Sequence, residues 1–129
     1  MHNRTIKPTG VTLLFNIWCD DTTEKKLQDA KLLTDTFLID LVRALNMTPI
    51  EGTSIFKEIP VPDSDEISVS ASIMLLESHA CLHSWPEHQY MRLEVSTCKN
   101  VDEITFGRAV DYIEKFFKPR DIEIMKQEW

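Results

Sequence analysis

The run Glu77-Ser78-His79 brings a carboxylate, a hydroxyl and an imidazole to the end of the apolar stretch from Ile73 to Leu76, and a second imidazole, His83, follows. Hydroxyls, imidazoles, thiols and carboxylates are the groups from which proton-transfer chemistry is built. Apolar strands that end this way place polar side chains at a sheet edge or cleft, because a buried unpaired carboxylate costs too much. A Ser-His pair alone is most often ordinary polar surface. The longer string is what singles this one out: Ser70 before it, His83-Ser84-Trp85-Pro86-Glu87 inside it and Thr97-Cys98 after it. His79 and His83 are four apart, a spacing that faces a common ligand only on a helix, and the surrounding residues read as a strand. No metal site is therefore expected.

The elements that must position these residues follow from periodicity. From Ile67 onward, Ile67, Val69, Ala71, Ile73 and Leu75 alternate with Ser68, Ser70 and Ser72. Ala80 and Leu82 oppose His79, Cys81 and His83 in the same way, and Met91, Leu93 and Val95 oppose Arg92, Glu94, Ser96 and Cys98. If these strands share their apolar face, Ser70, His83 and Cys98 project from the polar side of one antiparallel sheet. An earlier strand runs from Val11 to Cys19, with Cys19 as a small core residue. A helix is expected from Asp21, with Glu24 completing a capping box, through an apolar stripe from Leu27 to Leu45 to a stop near Asn46. Its charged face, Asp29 included, reads as solvated surface. A weaker strand is expected over 48–56, and Pro60 to Asp65 as a turn. A second helix opens at Asn100-Val101-Asp102-Glu103, with Asn100 as cap and Glu103 as the acid three later, and ends before Pro119; Arg120 to Glu128 forms a last strand with Ile122 and Ile124 inward. The order β-α-β-β-β-α-β predicts an α+β fold: a two-layer sandwich, one antiparallel sheet with two helices on one face.

Composition narrows the partners. The 129 residues suit one domain, 1–129, with a single core. Fourteen basic residues against twenty-one acidic ones leave a net charge of −7, which argues against nucleic acid and suits a cationic small molecule. No stretch reaches the roughly 20 apolar residues of a membrane span. The polar start, Met1 to Lys7, has no apolar signal core behind it, so a cytoplasmic location is the expectation. Three cysteines without a Cys-x-x-Cys pair argue against a disulfide framework and a structural zinc site.

Glu-Ser-His, a second His, Trp-Pro-Glu and the Thr-Cys pair together resemble the self-cleavage region of bacterial-type S-adenosylmethionine decarboxylase proenzymes, strongly over residues 69–98 and weakly over most of the chain. The resemblance implies cleavage between Glu77 and Ser78, with Ser78 becoming a pyruvoyl group that takes the substrate amine as a Schiff base. It implies His83 as the base of processing, Ser70 as its polar partner, Cys98 as the donor returning a proton to the substrate's α-carbon, and Glu87 as the acid holding the ribose hydroxyls. His79 flanks the cleavage site and receives no separate step. The resemblance also implies a two-layer sandwich assembled as a homodimer, with sites near the subunit interface, and a place in polyamine (spermidine) biosynthesis.

Departures from the family lie at substrate-contact positions. Ser64 stands where relatives commonly carry an aromatic residue that stacks on adenine; the alternatives are that Phe56 or Ile59 takes the role or that no residue does. Ala71, Gln89 and Lys99 replace family glycines, and Thr12 stands near the place of an expected histidine. The first reading is decarboxylation of S-adenosylmethionine. The second is a pyruvoyl-dependent decarboxylase of another cationic amino acid, such as ornithine or arginine. The third, from a different class, is a non-catalytic regulatory paralogue.

Overall fold

Alternation with period two gives strands here, and six result. A computed structural model describes residues 9–129; the polar start, Met1 to Lys7, lies outside them. Strands β1 (Val11–Trp18), β2 (Ile55–Pro60), β3 (Ile67–Met74), β4 (Ser78–Trp85), β5 (Tyr90–Thr97) and β6 (Asp121–Glu128) form one sheet in the order β2-β3-β4-β5-β1-β6. Every pairing is antiparallel. The expected sandwich is observed.

One face of this sheet is apolar. Leu13, Phe15, Ile17, Val69, Ile73, Ala80, Leu82, Leu93 and Val95 are all buried there. Covering them are a 3-10 turn (Glu24–Gln28), a π-wound stretch (Leu32–Leu38) running into α1 (Ile39–Ala44), and α2 (Glu103–Phe117). Phe37 joins the two helical layers, with its ring 4.9 Å from Phe117, 5.0 Å from Phe116 and 5.8 Å from Tyr112. Burying each such side chain is worth roughly 1.5–3 kcal/mol, so the helices are held by their stripes more than by their own propensity. The opposite, open face of the sheet carries the serines of β3, the histidines of β4 and the charged residues of β5.

Several boundaries differ from the sequence reading. The first helix does not run unbroken from Asp21. Asp29 is exposed, as expected, but it is extended (φ −96°, ψ 92°) and its carboxylate accepts the Leu32 amide at 3.1 Å, so it restarts the helix. Asp20 fills the capping role expected of Asp21, accepting the amides of Thr22 and Thr23. The Thr22 hydroxyl, which donates to the same carboxylate at 2.6 Å, and after it these amides favour the ionised form and hold the carboxyl below its usual value. For α2 the cap is Asp102, which accepts the Thr105 amide at 2.8 Å, and not Asn100.

The strand expected over 48–56 lies instead at Ile55–Pro60, because Gly52, at φ +80°, turns the chain first. β2 is exposed along its whole length, and as an edge strand it tolerates Pro60. The helix stops were as expected. Asn46 (φ 59°) and Lys118 (φ 47°, before Pro119) both take the left-handed conformation. Ile122 and Ile124 pack against the core.

Ser84 is a polar residue on the apolar parity of β4, and it is fully buried. Its hydroxyl donates to the Leu27 carbonyl at 2.6 Å and accepts the Val69 amide at 2.9 Å, joining the 3-10 turn to the sheet. Ser84→Ala leaves both groups without this partner, at an expected cost of about 1–3 kcal/mol. Urea unfolding measures it; an unchanged midpoint would show that the Val69 amide finds another acceptor.

Candidate active site

Register, rather than sequence distance, decides which chemical groups meet. Ser70 and His83 are directly opposed across β3 and β4 on the open face. Ser70 Oγ lies 2.6 Å from His83 Nδ1, on the shared polar face that strand parity predicts. Cys81 sits one row along, with its Sγ 3.9 Å from Glu94 Oε2 on β5.

A second group forms at the start of β4. Leu75 and Ser78 close a two-residue turn through Leu75 N–H to Ser78 O (2.8 Å) and Ser78 N–H to Leu75 O (3.2 Å), so the Glu77–Ser78 peptide is the exit of a hairpin. The turn is clamped from both sides. Thr48 donates its amide to the Glu77 carboxylate at 3.0 Å and accepts the Leu76 amide at 3.0 Å. On the other side, the Cys98 amide donates to the Glu77 carbonyl oxygen at 3.2 Å. Ser78 pairs with Thr97, so Cys98 lies one residue beyond the end of β5, immediately beside the turn, with its side chain exposed. The Ser78 hydroxyl lies 3.2 Å from His79 Nδ1.

The two groups do not meet within one chain. Ser78 and His83 are five residues apart on one extended strand, which is about 17 Å, and they have opposite parity. Glu87, exposed in the 3-10 turn Pro86–His88, lies beyond His83 at that far end of β4. There an aromatic row covers the open face: Trp85 is 5.9 Å from His83 and 5.3 Å from Tyr90, which is 5.1 Å from Trp18.

The position expected to stack on adenine is not aromatic in space either. Ser64 lies in the exposed β2–β3 loop, its hydroxyl accepting the Glu66 amide. Phe56 has the parity of the covered face, whereas Ile59 shares the open face with Ser70. Thr48 and Ser84 were not legible as site residues, since Thr48 acts through its backbone and Ser84 through a fold contact.

Cofactor chemistry here needs only a serine that can become a chain end with proton donors beside it. Ser78 fits: it is partly exposed at the first position of β4, its preceding carbonyl is already hydrogen-bonded, and a cavity of about 320 Å³ opens beside Cys98, bordered by Gly10, Lys126 and Trp129.

Comparison with known proteins decides the family. The family model for S-adenosylmethionine decarboxylase matches residues 7–128. The chain belongs to this family. It is thereby one of the carboxy-lyases that act on S-adenosylmethionine. An S-adenosylmethionine decarboxylase proenzyme of Methanococcus maripaludis is 29% identical over 121 residues, covering 93% of this chain and 88% of that one. One from Persephonella marina is 45% identical over a shorter stretch of 51 residues, 40% of this chain and 37% of that one. Among solved structures, the adenosylmethionine decarboxylase of Aquifex aeolicus superposes with a TM-score of 0.67 at 25% identity, over 95% of this chain and 91% of that one.

The three thiols of this decarboxylase-family chain differ in reach. Cys19 is fully buried, and burial pushes its thiol up to about 11. Cys81 is half-buried and raised, first by burial and then by the Glu94 charge. Because the thiolate is the reactive form, both are protected near pH 8. Iodoacetamide should label Cys98 first, Cys81 slowly and Cys19 only after unfolding, as peptide mapping by mass spectrometry would show. Fast labelling of Cys19 would mean that β1 opens in the native state.

Proposed function

We propose that this chain is a self-cleaving proenzyme which decarboxylates S-adenosylmethionine for polyamine synthesis, and that it works as a homodimer paired through the open faces of its sheets. The observation that carries the proposal is the hairpin exit at Glu77–Ser78, with its carbonyl bonded by Cys98 N–H and its hydroxyl against an imidazole. Ser78 Oγ attacks the Glu77 carbonyl carbon, and the peptide bond becomes an ester. A base then removes the Ser78 α-hydrogen, Glu77 leaves as a carboxylate, and hydrolysis of the resulting dehydroalanine releases ammonia.

The pyruvoyl group so formed supplies the electron sink that protein side chains lack. Cys98, beside the turn, holds a proton for the substrate's α-carbon. Glu87 offers two acceptor oxygens to a ribose diol. The net negative charge of the protein favours a sulfonium cation over anionic competitors.

Pairing of two copies resolves the separation of about 17 Å along β4. A two-fold axis crossing β4 near Ala80–Cys81 would set each Ser78 against the His83, Ser70 and Glu87 end of the other copy. The open face has surface to lose in such a contact: Ile55, Ile59, Met74, Trp85 and Met125 are all exposed there. Face-to-face sheets pack about 10 Å apart, which is within reach of side chains from both.

Purified protein should resolve on a denaturing gel into pieces of 77 and 52 residues (1–77 and 78–129). Ser78→Ala and His83→Ala chains should each stay whole alone. When they are co-expressed, the His83→Ala chain should be cleaved, because the Ser78→Ala copy supplies its His83. Wild-type protein that remains a single band favours the regulatory paralogue, and failure of the mixture to cleave removes the shared site.

For the substrate, released carbon dioxide is measured with S-adenosylmethionine, ornithine and arginine in parallel. Turnover of S-adenosylmethionine is expected, with Glu87→Gln raising KM more than it lowers kcat. Turnover of ornithine or arginine alone would give the site to another amino acid.

A further inference from the structure

We propose that His79, the residue that follows the scissile bond, is the base that starts the cleavage, leaving His83 the later removal of the α-hydrogen. The inference rests on the self-cleavage reading above and assigns to a residue of the same chain a step that His83 cannot reach within that chain. Its ground is geometric. His79 Nδ1 lies 3.2 Å from Ser78 Oγ, within hydrogen-bond reach of the proton to be taken. Among the described residues neither the Ser78 hydroxyl nor the His79 ring has another hydrogen-bond partner. His83 Nδ1, by contrast, is engaged by Ser70 Oγ at 2.6 Å and within its own chain is separated from Ser78 by the length of β4; the other copy's His83, which the proposed dimer brings to Ser78, carries the same Ser70 bond.

The carbonyl to be attacked is prepared as well. Its oxygen accepts the Cys98 amide at 3.2 Å, and a donor already aimed at an oxygen stabilises the negative charge that develops there. The Glu77 carboxylate, held by the Thr48 amide at 3.0 Å, keeps the turn from swinging out of this contact.

The step balances without a co-reactant. With its ring proton on Nε2, His79 accepts the hydroxyl proton of Ser78 at Nδ1 as the Ser78 Oγ to Glu77 C bond forms. The carbonyl oxygen takes the negative charge and rests on Cys98 N–H. The bond from Glu77 C to Ser78 N then breaks, its electron pair stays on nitrogen, and the protonated His79 returns the proton there. An amide has become an ester and a free amine, with nothing gained or lost. Cys98 enters through its backbone, so this part of its task is independent of its thiol.

Hydroxylamine separates the two histidines, because it cuts an ester but leaves an amide intact. His83→Ala should run as a single band that splits into the 77- and 52-residue pieces when hydroxylamine is added. His79→Ala should run as a single band that resists hydroxylamine, with cleavage slowed about 10²–10⁴-fold, the usual loss when a positioned base is removed. Added imidazole should restore cleavage in His79→Ala. His79→Gln, which keeps a polar group without basicity, should stall like alanine, and circular dichroism with urea midpoints checks that each variant is folded.

Wild-type cleavage rates in His79→Ala, or a hydroxylamine-labile ester in that variant, overturn the assignment while leaving self-cleavage intact. Full cleavage in His79→Gln would make His79 a positioning residue and not a base. A wild-type chain that never cleaves overturns the self-cleavage reading itself, and with it this inference.

Discussion

The register of β4 against its two neighbours is the constraint from which the site follows. Ser70 opposite His83 on one side and Thr97 opposite Ser78 on the other are consequences of the same ladder. A slip of one residue would turn His83 into the core and bring Leu82 to the open face. The apolar parity of three adjacent strands makes such a slip expensive. Val69, Ala80, Leu82, Leu93 and Val95 are all buried on the covered face and would all have to change sides relative to their partners. The chemistry is thus placed by side chains that take no part in it.

Holding this ladder flat against the helices is the work of a few polar contacts at its margins. Ser84 replaces a missing backbone partner where β3 and β4 part, and its second bond fixes the 3-10 turn above. Gln89, in the left-handed conformation, carries out a similar task at the start of β5. Its side-chain amide donates to Asp21 at 2.7 Å and to Glu24 at 2.9 Å, and its carbonyl accepts the Cys19 amide. A glycine would take that backbone shape without strain, but it has no side chain with which to reach the first helical turn.

What could be read in the sequence was what depends on local period. Alternation in 67–75, 79–83 and 91–97 gave the polar face and, with it, the Ser70–His83 pair. Helix stops at Asn46 and before Pro119 follow from single-residue backbone preferences. The misreadings have a common cause, since each turned on a choice between equivalent local signals. Asp20 and Asp21, Asn100 and Asp102, and the residues before and after Gly52 in the strand expected over 48–56 differ only in what the rest of the fold offers them. The distance between Ser78 and His83 follows from that same period, since five residues of extended strand span about 17 Å however compact the motif is in sequence. The contact of Ser78 with His79 needed side-chain geometry that no spacing encodes.

The strand order has a consequence for a molecule cut at its active bond. The first piece would contribute β1, β2 and β3, and the second β4, β5 and β6. β1 lies between β5 and β6, hydrogen-bonded to both along its whole length. The two pieces are therefore interleaved, each filling a gap in the other's half of the sheet, and neither could leave without breaking the ladders on both sides of β1. The peptide that such a cut would sever belongs to a surface hairpin. A backbone bond could be given up there because the fold does not depend on the chain being continuous at that point.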